Sequence, residues 1–530
     1  MKRIRHFTKS SRRTFLKSSA GAVAALAGGR PLRAGRQPSN PDLRVDNLIL
    51  IISDTLRRDA LGCYGGNWVK TPHLDQFARE AVIFDNAFVS SFPTVPLRND
   101  ILTGRFTSTY KGWSPLGQDE VTLQETLTNA SILTSLVADT PHPYAPAYNF
   151  QRDFSVWDVV RGQEVDRYRS APRQVTLPCS PEKMREPDST VVQYLRNVAH
   201  RHGEEDYFVA QTMTRAARWL EENHDDRRFF LLVDTFDPHE PWDPPQYYVD
   251  RYDPNYEGER VIYPRYDLWR TFLTERELQH CRALYAGEAS LVDRWVGFLL
   301  DQIAALGLLE NTAIVFASDH GFYIGEHGYT GKALVRGDSY HNLPLYAEVA
   351  RVPMLIYFPG CRGGWRAQAL AQPVNFMPTI LELMGVARPA GLRSQSLVPL
   401  LDGRSQKVDE VVVAAPSLLE DPGAPPSPAS RCSVTDGEWM LIVGPQLAAV
   451  PQALKTAAVD SLIRRVRELQ GEITPELYHL KNDPGCEKNL IRESPAVATR
   501  LHAALREFLA RWDYPPERRE YFRRWEISAG

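Results

Sequence analysis

The chain has 530 residues, 43% hydrophobic and 24% charged, which fits one large α/β domain plus a smaller one and neither a disordered chain nor a membrane bundle. A formal net charge of −3 gives no basic surplus for nucleic acid, so any anion site must come from local geometry. Six cysteines (Cys63, Cys179, Cys281, Cys361, Cys432 and Cys486) lack C-x-x-C or His-paired spacing and point to neither a zinc ribbon nor a disulfide framework.

The N-terminus carries an address. Lys2, Arg3 and Arg5 precede Ser11-Arg12-Arg13-Thr14-Phe15-Leu16-Lys17, which leads into a weakly apolar run from Ser18 to Gly29. These features, in this order, read as a twin-arginine export signal over residues 1–34 with an apolar core too short to span a membrane. The expected partner is the twin-arginine export machinery, and the expected destination is the periplasm or the cell exterior.

Residues 35–45 read as a polar linker. Leu48-Ile49-Leu50-Ile51-Ile52 is an unbroken apolar run, the mark of a parallel strand covered on both faces. It ends in Ser53-Asp54-Thr55. An aspartate at the C-terminal edge of a central strand lies where open α/β sheets hold ligands, although helix caps use the same residue.

In Ser91-Phe92-Pro93-Thr94-Val95-Pro96-Leu97-Arg98, each proline fixes its own φ and pushes the preceding residue out of the helical region. The pattern then turns helical, with Ile101 and Leu102 apolar and Gly104 where a helix would end. Thr94 is therefore expected just before a helix N-terminus, where free N–H groups and the dipole favour negative charge. Arg98, one turn on, could reach back to the same point. On these residues alone, an ester-attacking hydroxyl and a plain proline-rich turn fit equally well.

Farther along, Ile132–Val137 reads as a buried strand leading to Asp139-Thr140-Pro141-His142. Residues 145–226 lack strand periodicity and read as an insertion over the mouth of the site, with helical stretches at 192–207 and 209–222. A third buried strand, Arg228–Val233, leads to Asp234-Thr235-Phe236-Asp237-Pro238-His239. Residues 281–306 carry Leu284, Leu291, Trp295, Phe298 and Leu299 at helical spacing. Thr312–Ala317 then reads as a strand ending at Ser318-Asp319-His320-Gly321, where the glycine permits close backbone approach. A proline-rich loop at 416–428, strands at 438–443 and 476–484 and an amphipathic helix near 496–512 make a small subdomain over 406–530.

Together these segments resemble the sulfatase branch of the alkaline phosphatase superfamily. Thr94-Val95-Pro96-Leu97-Arg98 with Leu102-Thr103-Gly104-Arg105 is similar to its C/S-x-P-x-R and L-T-G-R signature. Asp54-Thr55-Leu56-Arg57 and Asp319-His320 resemble its metal-ligand segments, and Asp237-Pro238-His239 resembles the segment whose His contacts the bound ester. Gly325–Lys332 is similar to the loop whose Lys grips the ester oxygens. The resemblance implies an alkaline-phosphatase-like α/β fold over 46–405, a large mixed sheet flanked by helices, followed by a smaller antiparallel sheet and helix. It implies Asp54, Thr94, Asp319 and His320 as metal ligands. Thr94, Arg98, His239 and Lys332 would be catalytic, with substrate contacts from His142, Arg98 and Lys332.

Several positions depart from the branch. Thr94 replaces the Cys or Ser that relatives oxidise to formylglycine, and its extra methyl would give a ketone rather than an aldehyde, so no formylglycine is expected. Thr55 stands where many relatives have a second Asp, and Thr140 where a Lys accompanies His142. His320 stands where calcium sulfatases have Asn and phosphodiester-active relatives have His. Three oxygens and one imidazole suit Mn²⁺ or Zn²⁺ better than Ca²⁺ or Mg²⁺. These shifts give the expectation of a metal-dependent hydrolase or transferase acting through Thr94 on a phosphate mono- or diester of a small molecule, glycan or lipid headgroup. The alternatives are a sulfuric ester hydrolase with unmodified Thr94, and a binding protein that kept the fold but lost turnover.

Overall fold

The computed structural model describes residues 43–523 apart from 226, 338, 420–425 and most of 447–472. The expected export signal, most of the 35–45 linker and part of the 416–428 loop lie outside the described residues.

The unbroken apolar runs become the centre of an eight-stranded sheet. Its strands are β1 (Asn47–Ser53), β2 (Val82–Ala87), β3 (Leu133–Ala138), β4 (Val156–Val159), β5 (Phe229–Thr235), β6 (Thr312–Ser318), β7 (Met354–Tyr357) and β8 (Arg366–Ala371). They lie in the order β8-β2-β7-β6-β1-β5-β3-β4. Only β7 runs antiparallel to its neighbours, so the sheet is mixed. Every residue of β1, β5 and β6 is buried, as doubly covered parallel strands require. Alternate residues feed two cores: Leu48, Leu50 and Ile52 face one, Ile49 and Ile51 the other. Helices Thr94–Thr103 and Phe376–Leu383 contribute to the first core, and Phe208–Asn223 and Glu275–Ala305 to the second. This is the α/β architecture that the sequence implied.

Two elements differ from the sequence expectation. The long helix starts at Glu275 rather than near 281, because Thr274 and Glu277 form a capping box ahead of the apolar stripe. Inside the 145–226 segment lies β4, an edge strand of the main sheet with Val156 and Trp157 45% and 56% exposed. A strand not covered by packing carries no apolar alternation to read.

A second sheet gathers Val412–Pro416, Cys432–Thr435, Trp439–Val443 and Glu476–His479. Its fifth strand is Ser91–Phe92, which pairs in parallel with Ala415 and Pro416. The C-terminal residues thus hold the segment that leads directly into Thr94. Among the described residues all six cysteines are unpaired, and no helix is long and apolar enough to cross a membrane.

Register brings the site together. Ser53 pairs with Ser318 on one side and Thr235 on the other, so Asp54, Asp319 and Asp234 emerge side by side at one sheet edge. Gly321 follows immediately, and a Cβ there would lie 1.8 Å from the Glu348 carbonyl oxygen. Gly321→Ala should therefore lower folding stability by roughly 1–3 kcal/mol or more. Denaturant unfolding of the two proteins checks this, and equal midpoints would show that the backbone is not confined there.

Candidate active site

Thr94 is the first residue of its helix, with Pro93 as the cap, rather than the residue before it. Pro96 is accommodated because first-turn N–H groups have no intrahelical partner. Gly104, at φ 63°, ends the helix by donating its N–H to Asp100 O at 2.9 Å. The Asp100 carboxylate accepts from Ser91 N at 2.8 Å and Thr107 N at 2.7 Å, fixing the strand before Thr94 to the helix after it.

Asp54, Asp319 and His320 are fully buried and bring ligand atoms within 4.8 Å of one another, the one such group among the described residues. Both carboxylate oxygens of Asp54 are buried without a hydrogen-bond partner. Burial, and then the neighbouring Asp319, push the Asp54 carboxyl well above its usual range. Asp319 accepts from Thr55 N at 2.9 Å and from His320 N at 2.7 Å. Burial opposes its charge, but His320 and Arg98 hold it below the ordinary carboxylate value. His320 donates Nδ1–H to Gly321 O at 2.9 Å, and burial pushes its imidazole down to about 3. Its Nε2 is thereby left as a neutral lone pair, 3.5 Å from Thr94 Oγ1. Two orphaned carboxylate oxygens, a second buried carboxylate and a neutral imidazole fit a divalent cation.

Arg98 sits differently from the sequence expectation of an ester contact. Its guanidinium forks onto Asp234, with Nε–Oδ2 at 3.0 Å and Nη2–Oδ1 at 2.8 Å. Nη1 lies 2.5 Å from Asp319 Oδ2, 3.2 Å from Asp54 Oδ2 and 3.3 Å from the Thr94 carbonyl oxygen. Burial works against the guanidinium's charge, but Asp234, Asp319 and Asp54 more than restore it. All three nitrogens are engaged by protein oxygens, so Arg98 is the shared counter-ion of three strand ends. One turn of helix carries its side chain toward the sheet edge, where the carboxylates concentrate. Asp234, not singled out in the sequence, also accepts from Thr140 at 3.0 Å and Tyr144 at 2.9 Å. Its position at the end of a buried strand was the available signal.

Lys332 does face Thr94. Its Nζ lies 3.4 Å from Thr94 Oγ1, 3.0 Å from His239 Nε2 and 3.4 Å from His320 Nε2. His239 donates Nδ1–H to Glu240 O at 2.7 Å and stacks on Phe236 at 4.0 Å. Burial first, and Lys332 second, hold its pKa well below the ordinary value. His239 is therefore a neutral acceptor toward Lys332, and the ammonium is the nearer acid.

A cavity of about 580 Å³ opens over Lys332 and His239. His142 lines it, with Nε2 2.8 Å from Glu164 Oε2 and its ring edge-on to Trp113. Glu164 and Arg185, also on the wall, come from the 145–226 segment. Neither sits in a motif, so the sequence offered no signal for them.

The sulfatase family model matches residues 46–386. An N-acetylglucosamine-6-O-sulfatase of Bacteroides thetaiotaomicron is 22% identical over 482 residues, covering 76% of this chain and 78% of that protein. An ulvan-active sulfatase of Formosa agariphila is 29% identical over 381 residues, covering 70% and 67%. Among solved structures, the phosphonate monoester hydrolase of Agrobacterium radiobacter superposes with a TM-score of 0.63 at 18% identity, over 88% of this chain and 96% of that one. A protein solved with its substrate D-glucosamine-2-N,6-O-disulfate gives a TM-score of 0.64 at 20% identity, over 89% and 99%. At these identities the two structures speak to the fold alone.

Arg98→Met strands three buried carboxylates without their common counter-ion and should lower stability by about 3–5 kcal/mol. Urea unfolding measures this, and a wild-type midpoint would refute the clamp. His239 protonates near 6.5 when unfolded and well below that when folded, so the stability it confers above pH 6.5 declines as pH falls. The melting temperature should accordingly drop less between pH 7 and pH 5 in His239→Asn than in the wild type.

Proposed function

The chain belongs to the sulfatase family, and from that premise we propose that it hydrolyses a sulfuric ester, using the unmodified Thr94 hydroxyl as nucleophile. The observation that carries this reading is the position of Thr94 Oγ1, 3.5 Å from His320 Nε2 and 3.4 Å from Lys332 Nζ, beside a cavity large enough for a small substrate. Two of the relatives are named as an N-acetylglucosamine-6-O-sulfatase and an ulvan-active sulfatase, which favours a sulfated saccharide as substrate. A divalent cation held by Asp54, Asp319 and His320, of Mn²⁺ or Zn²⁺ type given the imidazole, would lower the pKa of the Thr94 hydroxyl and polarise the ester oxygen.

The chain's own groups do the rest. Thr94 Oγ1 attacks sulfur as the bond to the alcohol oxygen breaks, the hydroxyl proton passing by way of Lys332 Nζ, 3.4 Å away, to the departing alcohol; water then opens the sulfated threonine, releasing sulfate and restoring the hydroxyl. Lys332 balances charge on the non-bridging oxygens, and neutral His239 accepts one of its hydrogens and so fixes its direction. Arg98 acts one step back, holding Asp54 and Asp319 in place while its helix presents Thr94. Export by the twin-arginine route, which would deliver an already folded and loaded enzyme, belongs to the same proposal.

Phosphate or phosphonate ester chemistry is the second reading, favoured by the residues themselves. Thr94 cannot yield the formylglycine of Cys- or Ser-bearing relatives, and His320 replaces the Asn of calcium sulfatases. A hydroxyl attacking phosphorus directly needs neither. The family relationship now weighs more heavily for sulfate than the residue pattern does for phosphate.

Turnover of p-nitrophenyl sulfate, p-nitrophenyl phosphate and bis-p-nitrophenyl phosphate by the purified, Mn²⁺- or Zn²⁺-supplemented protein separates the two. Sulfate turnover exceeding both phosphates supports the first reading, and the reverse order the second. Thr94→Ala should lose roughly 10³-fold or more in kcat with any of them. Full activity in that variant would eliminate the nucleophile assignment. Cation binding should raise the melting temperature, by an amount equivalent to about 2.7 kcal/mol at a hundredfold excess over Kd. Asp54→Ala should abolish that rise.

A further inference from the structure

The cavity wall divides by charge. Lys332 sits at its floor beside Thr94, where the transferred group must bind. The other cation on the wall, Arg185, is already committed. Its guanidinium lies 4.3 Å from the ring centres of both Tyr263 and Tyr266, and its Nη2 is 3.2 Å from Glu164 and 3.2 Å from Glu240. Glu164, 3.2 Å from the guanidinium, balances Arg185 even if the buried Glu240 takes a proton. His142, 2.8 Å from Glu164, adds a positive charge only when protonated.

Glu186 is left over. Its side chain is 44% exposed; it accepts from the neutral Thr190 hydroxyl at 2.6 Å, and its nearest cation, Arg185 Nη1, is 3.8 Å away. Near it in the cavity wall is Tyr340, whose ring is 55% exposed and whose hydroxyl accepts from Arg185 Nη1 at 2.9 Å and lies 3.5 Å from Glu186 Oε1. Trp113, 41% exposed, lines the same cavity. Exposed π faces and an uncompensated carboxylate both attract cations and repel a second anion.

We propose that the outer part of this cavity selects esters whose alcohol portion carries a positive charge, recognised by Glu186 with the rings of Tyr340 and Trp113. The proposal rests on the ester-hydrolase reading of the same site and narrows its substrate class to cationic alcohols, amines or quaternary ammonium groups included.

Three phenols of matched shape test it: 3-(trimethylammoniomethyl)phenol, the uncharged 3-neopentylphenol and the anionic 3-(carboxymethyl)phenol. As sulfate and phosphate esters, turned over by the full chain with Mn²⁺ present, the cationic member should exceed the neopentyl one roughly tenfold in kcat/KM, with the carboxylate lowest. Glu186→Gln should bring the ratio of cationic to neopentyl ester close to one. The free phenols, titrated calorimetrically into the same protein, should bind in the same order. A carboxylate that binds or reacts as well as the cation, or a ratio unmoved in Glu186→Gln, overturns the proposal. If none of the esters reacts, the hydrolase reading fails by itself, and the binding order of the phenols still decides this inference.

Discussion

The structure turns on one buried guanidinium. Arg98 reaches from the helix that begins at Thr94 to Asp54, Asp234 and Asp319, each at the end of a different strand. Three carboxylates cannot be buried side by side unless positive charge is buried with them, since taking an unpaired ion out of water costs several kcal/mol. The same contact fixes the Thr94 helix against the sheet edge. Stability and the placing of Thr94 therefore depend on the same atoms.

Around this clamp the site is short of positive charge. Arg98 offsets only part of the charge on Asp54, Asp234 and Asp319, and Asp54, though 3.2 Å from the guanidinium, accepts no hydrogen bond. Two imidazoles kept neutral by burial, His239 and His320, add lone pairs rather than protons. Lys332 sits between them and Thr94. A pocket of this charge suits a cation beside the buried carboxylates, with Lys332 left to face an anion.

The frame that aims Thr94 is shared by two sheets. The central sheet supplies the three carboxylates through its register, while the C-terminal sheet takes Ser91–Phe92 as a fifth strand. Asp100 then joins that strand to the helix through Ser91 N and Thr107 N. The 145–226 segment adds Glu164, Val165, Arg185, Glu186 and Thr190 to the wall of the cavity beyond Lys332, which it shares with residues from several other parts of the chain.

Much of this was legible in the residues. Unbroken apolar runs ending in Asp54, Asp234 and Asp319 specify buried parallel strands with acids at their C-terminal edge, because period and composition are local properties of the chain. The Pro-Thr-x-Pro-x-Arg spacing likewise indicates a helix at this point, although the structure starts it at Thr94 rather than after it. Local pattern could not reveal which way Arg98 turns, since that depends on carboxylates 44, 136 and 221 residues away being neighbours in space. Nor could it reveal β4, whose exposed residues follow no period, or Glu164 and Arg185, which belong to no motif. The sequence by itself determined the fold class and placed an acid at the end of each buried strand, because each such signal is encoded within its own run of a few residues. Only the tertiary structure decided that Arg98 is a clamp, that His239 is an acceptor and that the pocket wall has a carboxylate to spare, because charge balance is a property of groups brought together from distant positions.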